Sequence, residues 1–243
     1  QRLSASPFMF AVCQQGAEKA LKHQWLASEP GMSLAFSRPG LVTFKFNSPP
    51  IELPRHLLAR QSGWSLGPVR GESADSLVVE SLELAGRDWD AIHLFQRDQG
   101  LPGAYSFEPG ITPLCESIGD IVRGQLGASV PINQTCSIGS RVLDIVIVET
   151  NSWLIGYHLA QTRHACWPGG VYPQPMDQSV ISRAYYKMAE AIAWSGLPLR
   201  AGDSIVELGS SPGGASQRLL DLGLTVTDRK STRLNSSHQP VSR

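Results

Sequence analysis

No apolar run in this chain reaches the eighteen or so residues that a bilayer-spanning helix needs. The run Phe8 to Val12 is also too short for the core of a secretory signal. Cysteine is scarce and scattered. Cys13, Cys115, Cys136 and Cys166 form no CxxC pair, and no histidine stands at metal-ligand spacing. Neither a zinc site nor a disulfide framework is therefore expected, and a reduced, cytoplasmic protein is. Charge of one sign is missing too: Lys plus Arg and Asp plus Glu are both 21. Without a global basic excess, any nucleic-acid contact must come from a local patch. The dinucleotide fingerprint GxGxxG is absent, which counts against a nicotinamide-dependent oxidoreductase. An initiator methionine is absent as well. Gln1 stands first, and the chain reads as a fragment whose start lies upstream.

What is present is ordinary globular material. The 243 residues are 42% hydrophobic and 17% charged, enough for one large domain or two modest ones. Phe8 to Val12 reads as a strand and Gly16 to Trp25 as a helix. Met32 to Phe36 and Leu41 to Phe46 read as two strands around a turn at Ser37 to Gly40, where Pro39 and Gly40 suit the centre of a type II geometry. A strand is expected near Trp64, a helix over Ser76 to Ala85 and a strand over Ala91 to Gln96. Thr112 and Pro113 match an N-cap and first helical residue, leading into a face of Leu114, Ile118, Ile121 and Val122. Val142 to Val148 and Trp153 to Leu159 form a hairpin pattern. The stretch Gln161 to Met176, with three prolines and two glycines, reads as a boundary between domains. Arg163, His164 and Trp167 within it suit either a surface linker with a packed tryptophan or a nucleic-acid contact.

The last part of the chain carries the chemistry. Ser179 to Trp194 reads as a helix with Ile181, Tyr185, Met188 and Ile192 on one stripe and Lys187 off it. Taken alone, Lys187 is an ordinary solvated lysine. Ser204 to Leu208 then reads as a buried strand, Gly209 to Gly214 as a tight glycine loop, and Ala215 to Leu220 as a helix. Such a strand, loop and helix N-terminus make a seat for a ligand, because glycines admit close approach and the first helical N–H groups lack partners. A plain strand-to-helix connection remains open for the loop by itself.

Ser182 to Glu190, followed at Glu207 by the strand end and the loop through Gly214, resembles the FtsJ-like ribose 2′-O-methyltransferases of ribosomal RNA. In that family an SRA-x-x-K-L-x-E segment precedes a strand ending in D-L-G-x-x-P-G-G. The resemblance covers residues 179 to 223. It implies a Rossmann-like domain binding S-adenosyl-L-methionine, with Ser211, Pro212, Gly213 and Gly214 around the methionine part and Gly209 permitting the turn. Glu207, in place of the family's usual aspartate, would orient the loop or the cofactor amino group, and the main chain of Ala184 would pass close to the cofactor. Lys187 would be the first catalytic lysine of a Lys-Asp-Lys-Glu set around the target ribose. A ribose hydroxyl is a poor nucleophile, so a proton acceptor and nearby cations each lower the barrier.

Phe10 to Ala20 and the strands around Trp153 are similar in order to the ferredoxin-like and THUMP regions of one branch, the large-subunit rRNA cytidine 2′-O-methyltransferases. This implies an RNA-binding front of mixed α+β type over residues 1–160, a linker over 161–176 and the start of an α/β catalytic domain over 177–227. The partner implied is large-subunit ribosomal RNA, with no membrane and no metal. Residues 228–243 resemble translated sequencing adapter. They are expected to be an artefactual, disordered tail, in which case Asp228 is not the acid that holds the cofactor ribose. Setting that tail aside leaves 17 basic and 20 acidic residues, since four of the 21 basic and one of the 21 acidic lie in it. A chain ending there lacks the family's later aspartate and second lysine and is expected to be inactive. The alternative is a non-catalytic RNA-binding module with a remnant methyltransferase-like end.

Overall fold

Phe8–Val12 forms strand β1, and it lies between two antiparallel partners, β3 (Leu41–Phe46) and β4 (Gln61–Arg70). This is a computed structural model, and it describes residues 6–104, 107–127, 130–174, 177 and 179–229. Met9 and Ala11 point to one side of β1, toward Leu21 and Trp25 of helix α1 (Glu18–Ser28), while Phe10 and Val12 point to the other. Strand period two thus feeds two apolar layers from one five-residue run. Trp25 meets Phe44 edge to face at 5.3 Å between ring centroids. Strand β2 (Met32–Arg38) is the sheet edge and is mostly exposed. Arg38 pairs with Leu41, leaving Pro39 and Gly40 as the turn, and Gly40 has φ +77° as the type II geometry requires.

Helix α2 (Ala74–Ala85) starts at Ser73, whose side chain and that of Ser76 cap each other's main-chain N–H groups. Strand β5 (Ala91–Gln96) follows. Helix α3 (Pro113–Leu126) begins as its sequence suggests, with Thr112 Oγ1 accepting from Cys115 N. Its buried face is Cys115, Ile118 and Val122, and Leu114 is exposed. The expected face is thereby corrected by one residue, because a stripe at i, i+3 and i+7 centred on Ile118 places Cys115 inward. Strands β6 (Arg141–Glu149) and β7 (Ser152–Leu159) form the hairpin, with Glu149 opposite Ser152.

The seven strands make one mixed sheet in the order β2-β3-β1-β4-β7-β6-β5, in which β5 and β6 are the parallel pair. Helices α2 and α3 cover one face, over Ile92, Leu94, Leu143, Ile145, Trp153 and Ile155. The opposite face carries Phe10, Phe95, Val146 and Leu154. Burial on both faces explains the nearly continuous apolar run of β6.

Residues 161–173 cover part of that second face. Cys166, Trp167, Pro168, Gly169 and Gly170 are buried in two short 3₁₀ turns, His164–Cys166 and Pro168–Gly170. Arg60 Nε donates to Gly169 O at 3.0 Å, and the Arg60 guanidinium pairs with both oxygens of the buried Asp98. A stretch whose prolines and glycines suggest a linker is therefore packed at its centre, Cys166 to Gly170, and the first of two compact units runs on to Pro173.

The second unit, Gln174–Arg243, contains helix α4 (Ala184–Ser195), strand β8 (Ser204–Leu208), helix α5 (Gly214–Asp221) and strand β9 (Thr225–Arg229). β8 and β9 pair in parallel. Helix α4 starts five residues later than its periodicity suggests. Ile181 lies outside it and is exposed, its N–H donating to Gln217 Oε1 at 2.9 Å, and the buried residue of α4 is Ala189. Val206, Leu208, Trp194 and Leu197 are exposed. Strand β9 includes Asp228 and Arg229, the first two residues of the segment expected to be a tail; the rest of that segment, 230–243, lies outside the described residues. Among the described residues no helix is long and apolar enough to cross a membrane.

Candidate cofactor loop and a buried polar cluster

The glycine loop runs from the end of β8 to the start of α5. Gly209 and Gly213 have φ +84° and +102°, values that L side chains rarely adopt, and the Ser211–Pro212 peptide is cis. Gly213 is the N-cap of α5 and supplies no side-chain acceptor, so the helix presents its first N–H groups to the loop without a side-chain cap. Glu207 Oε2 accepts a short hydrogen bond from Ser216 Oγ. The glutamate thus ties the strand end to the first turn of α5.

Gly214 brings the two sequence motifs together. A Cβ built on it would lie 2.2 Å from Ser182 Oγ, 3.0 Å from Ser182 O and 3.1 Å from Tyr185 N. Glycine at 214 thus lets the main chain of Ser182 to Tyr185, which includes Ala184, approach the loop without displacing the Ser182 hydroxyl. Three further contacts hold the same junction. Ile181 N reaches Gln217, Tyr185 Oη donates to Asp221 Oδ2 at 3.0 Å, and the Arg218 guanidinium lies 5.5 Å over the Tyr185 ring. Lys187 is exposed on the first turn of α4. Ser211 and Pro212 are exposed and Gly214 is buried, so the outer half of the loop is open to a ligand while its base is packed.

The first unit holds a second polar arrangement, invisible in local spacing. His93 on β5, Asp144 on β6 and His158 on β7 are all buried, and one ligand atom from each lies within 4.8 Å of the others. Burial holds the His93 imidazole down at about 4, so it is neutral. Burial works against the charged form of His158 as well, but the adjacent Asp144 carboxylate and its hydrogen bond outweigh it, and the His158 pKa lies above the usual value. Local spacing, which gives no reason to expect a zinc site, does not report such a cluster: these residues are 51 and 14 positions apart and meet across strands. One signal was available. Each of the runs AIHLFQ, VLDIVIV and WLIGYHL carries a single histidine or aspartate among mostly apolar residues.

A groove of about 320 Å³ also opens in the first unit, lined among others by Arg55, Trp64, Tyr157 and His164. Arg55 reaches Gln161 Oε1 at 3.2 Å.

No family model matches the chain, and no curated protein does. Among solved structures, it is similar to TrmN from Thermus thermophilus, at 16% identity and TM-score 0.38, over 92% of this chain and 64% of that one. It is similar also to a 4-thiouridine synthetase in complex with RNA and ATP, at 11% identity and TM-score 0.31, over 92% of this chain and 52% of that one. A third is SMU.472, a methyltransferase candidate complexed with SAH, at 8% identity and TM-score 0.37, over 97% and 78%. The chain thus spans less than two thirds of the length of TrmN and about half that of the synthetase. At these scores the likeness assigns nothing, and the chemistry rests on the residues themselves.

Proposed function

We propose that the second unit holds the S-adenosyl-L-methionine loop of an RNA ribose 2′-O-methyltransferase, and that the first unit binds the RNA, large-subunit ribosomal RNA being the substrate. The packing of Ser182 to Tyr185 on Gly214 supports this reading most. The SRA segment and the Pro-Gly-Gly loop are the two motifs of the resemblance, and their contact explains why both are needed. In this reading the first N–H groups of α5 and the loop main chain face the methionine carboxylate, and Gly209, Ser211, Pro212 and Gly213 shape the seat. S-Adenosyl-L-methionine supplies the electrophilic methyl group. Lys187 approaches the ribose hydroxyl as a cation that favours the developing alkoxide.

The first unit supports an RNA-holding role through two features. Its strand order β4-β1-β3-β2, with α1 between β1 and β2, agrees with a ferredoxin-like opening. Its groove offers the half-buried Trp64 ring beside the Arg55 guanidinium, with His164, whose charged form burial and Arg55 disfavour, as a neutral hydrogen-bonding ring; an aromatic face next to a cation is of the kind that meets unpaired bases.

Calorimetric titration of the 243-residue chain with S-adenosylmethionine, S-adenosylhomocysteine and NAD tests the reading. Binding of the first two, absent with NAD and abolished by Gly214→Val, is the expected result. RNA binding without any S-adenosylmethionine binding would favour the non-catalytic module instead.

A further inference from the structure

His93, Asp144 and His158 sit on the sheet face beneath residues 160–173, each no more than 4% exposed. His93 is opposite Asp144 in the parallel register of β5 and β6. Each histidine donates from Nε2 to a main-chain carbonyl of the covering segments, His93 to Gln134 at 3.2 Å and His158 to Ala165 at 2.8 Å. Those bonds fix the proton on Nε2 and leave Nδ1 of each ring for a third party. This is the arrangement in which metal-ligating histidines are held, with the far N–H anchored on a carbonyl and the near nitrogen offered inward.

The inward groups are short of protons. His158 Nδ1 and Asp144 Oδ2 share one across 2.5 Å. His93 Nδ1 and Asp144 Oδ1 are buried and have no hydrogen-bonding partner among the described residues. With Nε2 protonated, both are acceptors, and leaving buried acceptors unmet costs about 1–3 kcal/mol each. A single cation at the centre would satisfy all of them.

We propose that His93 Nδ1, His158 Nδ1 and the Asp144 carboxylate are the ligands of a buried divalent transition-metal ion, Zn²⁺ by preference, that fastens the segments of Gln134 and Ala165 to the sheet. Two imidazoles and a carboxylate suit Zn²⁺ and its neighbours, whereas Mg²⁺ and Ca²⁺ select all-oxygen sets. Around Zn²⁺ the ligand atoms would stand about 3.3 Å apart, from bond lengths of about 2.0–2.1 Å and tetrahedral angles. Small side-chain rotations bring atoms already within 4.8 Å to that spacing. Binding expels the proton now shared by His158 and Asp144. Because the site is covered, the ion enters as the unit folds, and its role is structural. None of this depends on the methyl-transfer reading, which concerns the other unit.

The test uses the full chain, free of any affinity tag, stripped of metal by unfolding in chelator and refolded with and without Zn²⁺, with Mg²⁺ as control. A Zn²⁺-dependent rise in Tm, one Co²⁺ bound per chain with the visible absorption of a low-coordinate site, and shifts of the Nδ1 resonances of two histidines are expected. His93→Gln should weaken Co²⁺ binding at least tenfold while leaving the His158–Asp144 pair intact in the metal-free protein. Absence of any Zn²⁺ effect on Tm in the unmutated chain would overturn the proposal and leave the cluster bridged by water. Binding that persists unchanged in both His93→Gln and His158→Gln would overturn it equally. Should His93→Gln fail to fold, the Nδ1 shifts of the unmutated chain locate the ion without it.

Discussion

Asp228 stands directly opposite Glu207 in the parallel pairing of β8 and β9. One carboxylate is committed, since Glu207 accepts from Ser216, while Asp228 is exposed at the far end of the neighbouring strand. On the proposed cofactor-binding reading, that strand end is where an acid would meet the ribose of the bound nucleoside. Asp228→Asn is therefore expected to weaken S-adenosylhomocysteine binding by about tenfold, the loss of one charged hydrogen bond, with Tm unchanged. Equal affinity in calorimetry would remove Asp228 from the site.

Gly214 is the second point of attack. Gly214→Ala places a methyl group 2.2 Å from Ser182 Oγ, which must rotate away, and 3.0–3.1 Å from two main-chain atoms, which must give by a few tenths of an ångström. It should cost about 1–3 kcal/mol in urea unfolding and, on the proposed reading, weaken S-adenosylmethionine binding, because the loop and the SRA segment must shift apart. Ala215→Gly, one residue along, should leave the junction intact.

Arg60 and Asp98 form a bidentate pair in which the aspartate is 1% exposed. Removing one partner strands the other charge, so Asp98→Ala is expected to destabilise the first unit by about 3–5 kcal/mol. Arg60 also holds Gly169, and limited proteolysis within residues 161–173 should accelerate in the same variant.

The thiols should be inert. Burial pushes Cys13 up to about 12 and Cys136 up to about 11, so neither is ionised at pH 8. Alkylation by iodoacetamide, followed by mass spectrometry, should be slow in the folded chain and complete at all four cysteines in urea. The same shifts fix a sign. With folded pKa values above the unfolded value of 9.0, the folded state retains protons that the unfolded state loses. Their contribution is full below pH 9 and declines as pH rises toward 11 and 12. Alkaline unfolding curves should show that fall.

What could be read from the sequence follows the range of the forces involved. The apolar runs of β1, β3, β5 and the β6–β7 hairpin, and the Thr112–Pro113 helix start, are local signals and lie where the pattern places them. β4 carries two glycines, a proline and three serines or glutamines among its ten residues. It is a strand because β1 and β7 flank it, which no local window reports. Within residues 161–173, of linker-like composition, Cys166 to Gly170 are buried for the same reason. At the candidate site, both motifs were legible as residue patterns, with Lys187 on α4 and Glu207 near the end of β8. That Gly214 touches Ser182 is a tertiary fact. So is the meeting of His93, Asp144 and His158, which each strand announces only as one histidine or aspartate within an apolar run.

The covering segment also decides where the chain can be divided. Composition invites a cut at residue 160, yet that cut would strip Gly169 from Phe95, Ala165 from His158 and the carbonyl from Arg60, and open an apolar face to water. Cleavage after Pro173 keeps all three. The first unit can be expected to survive on its own only if it carries its strap with it.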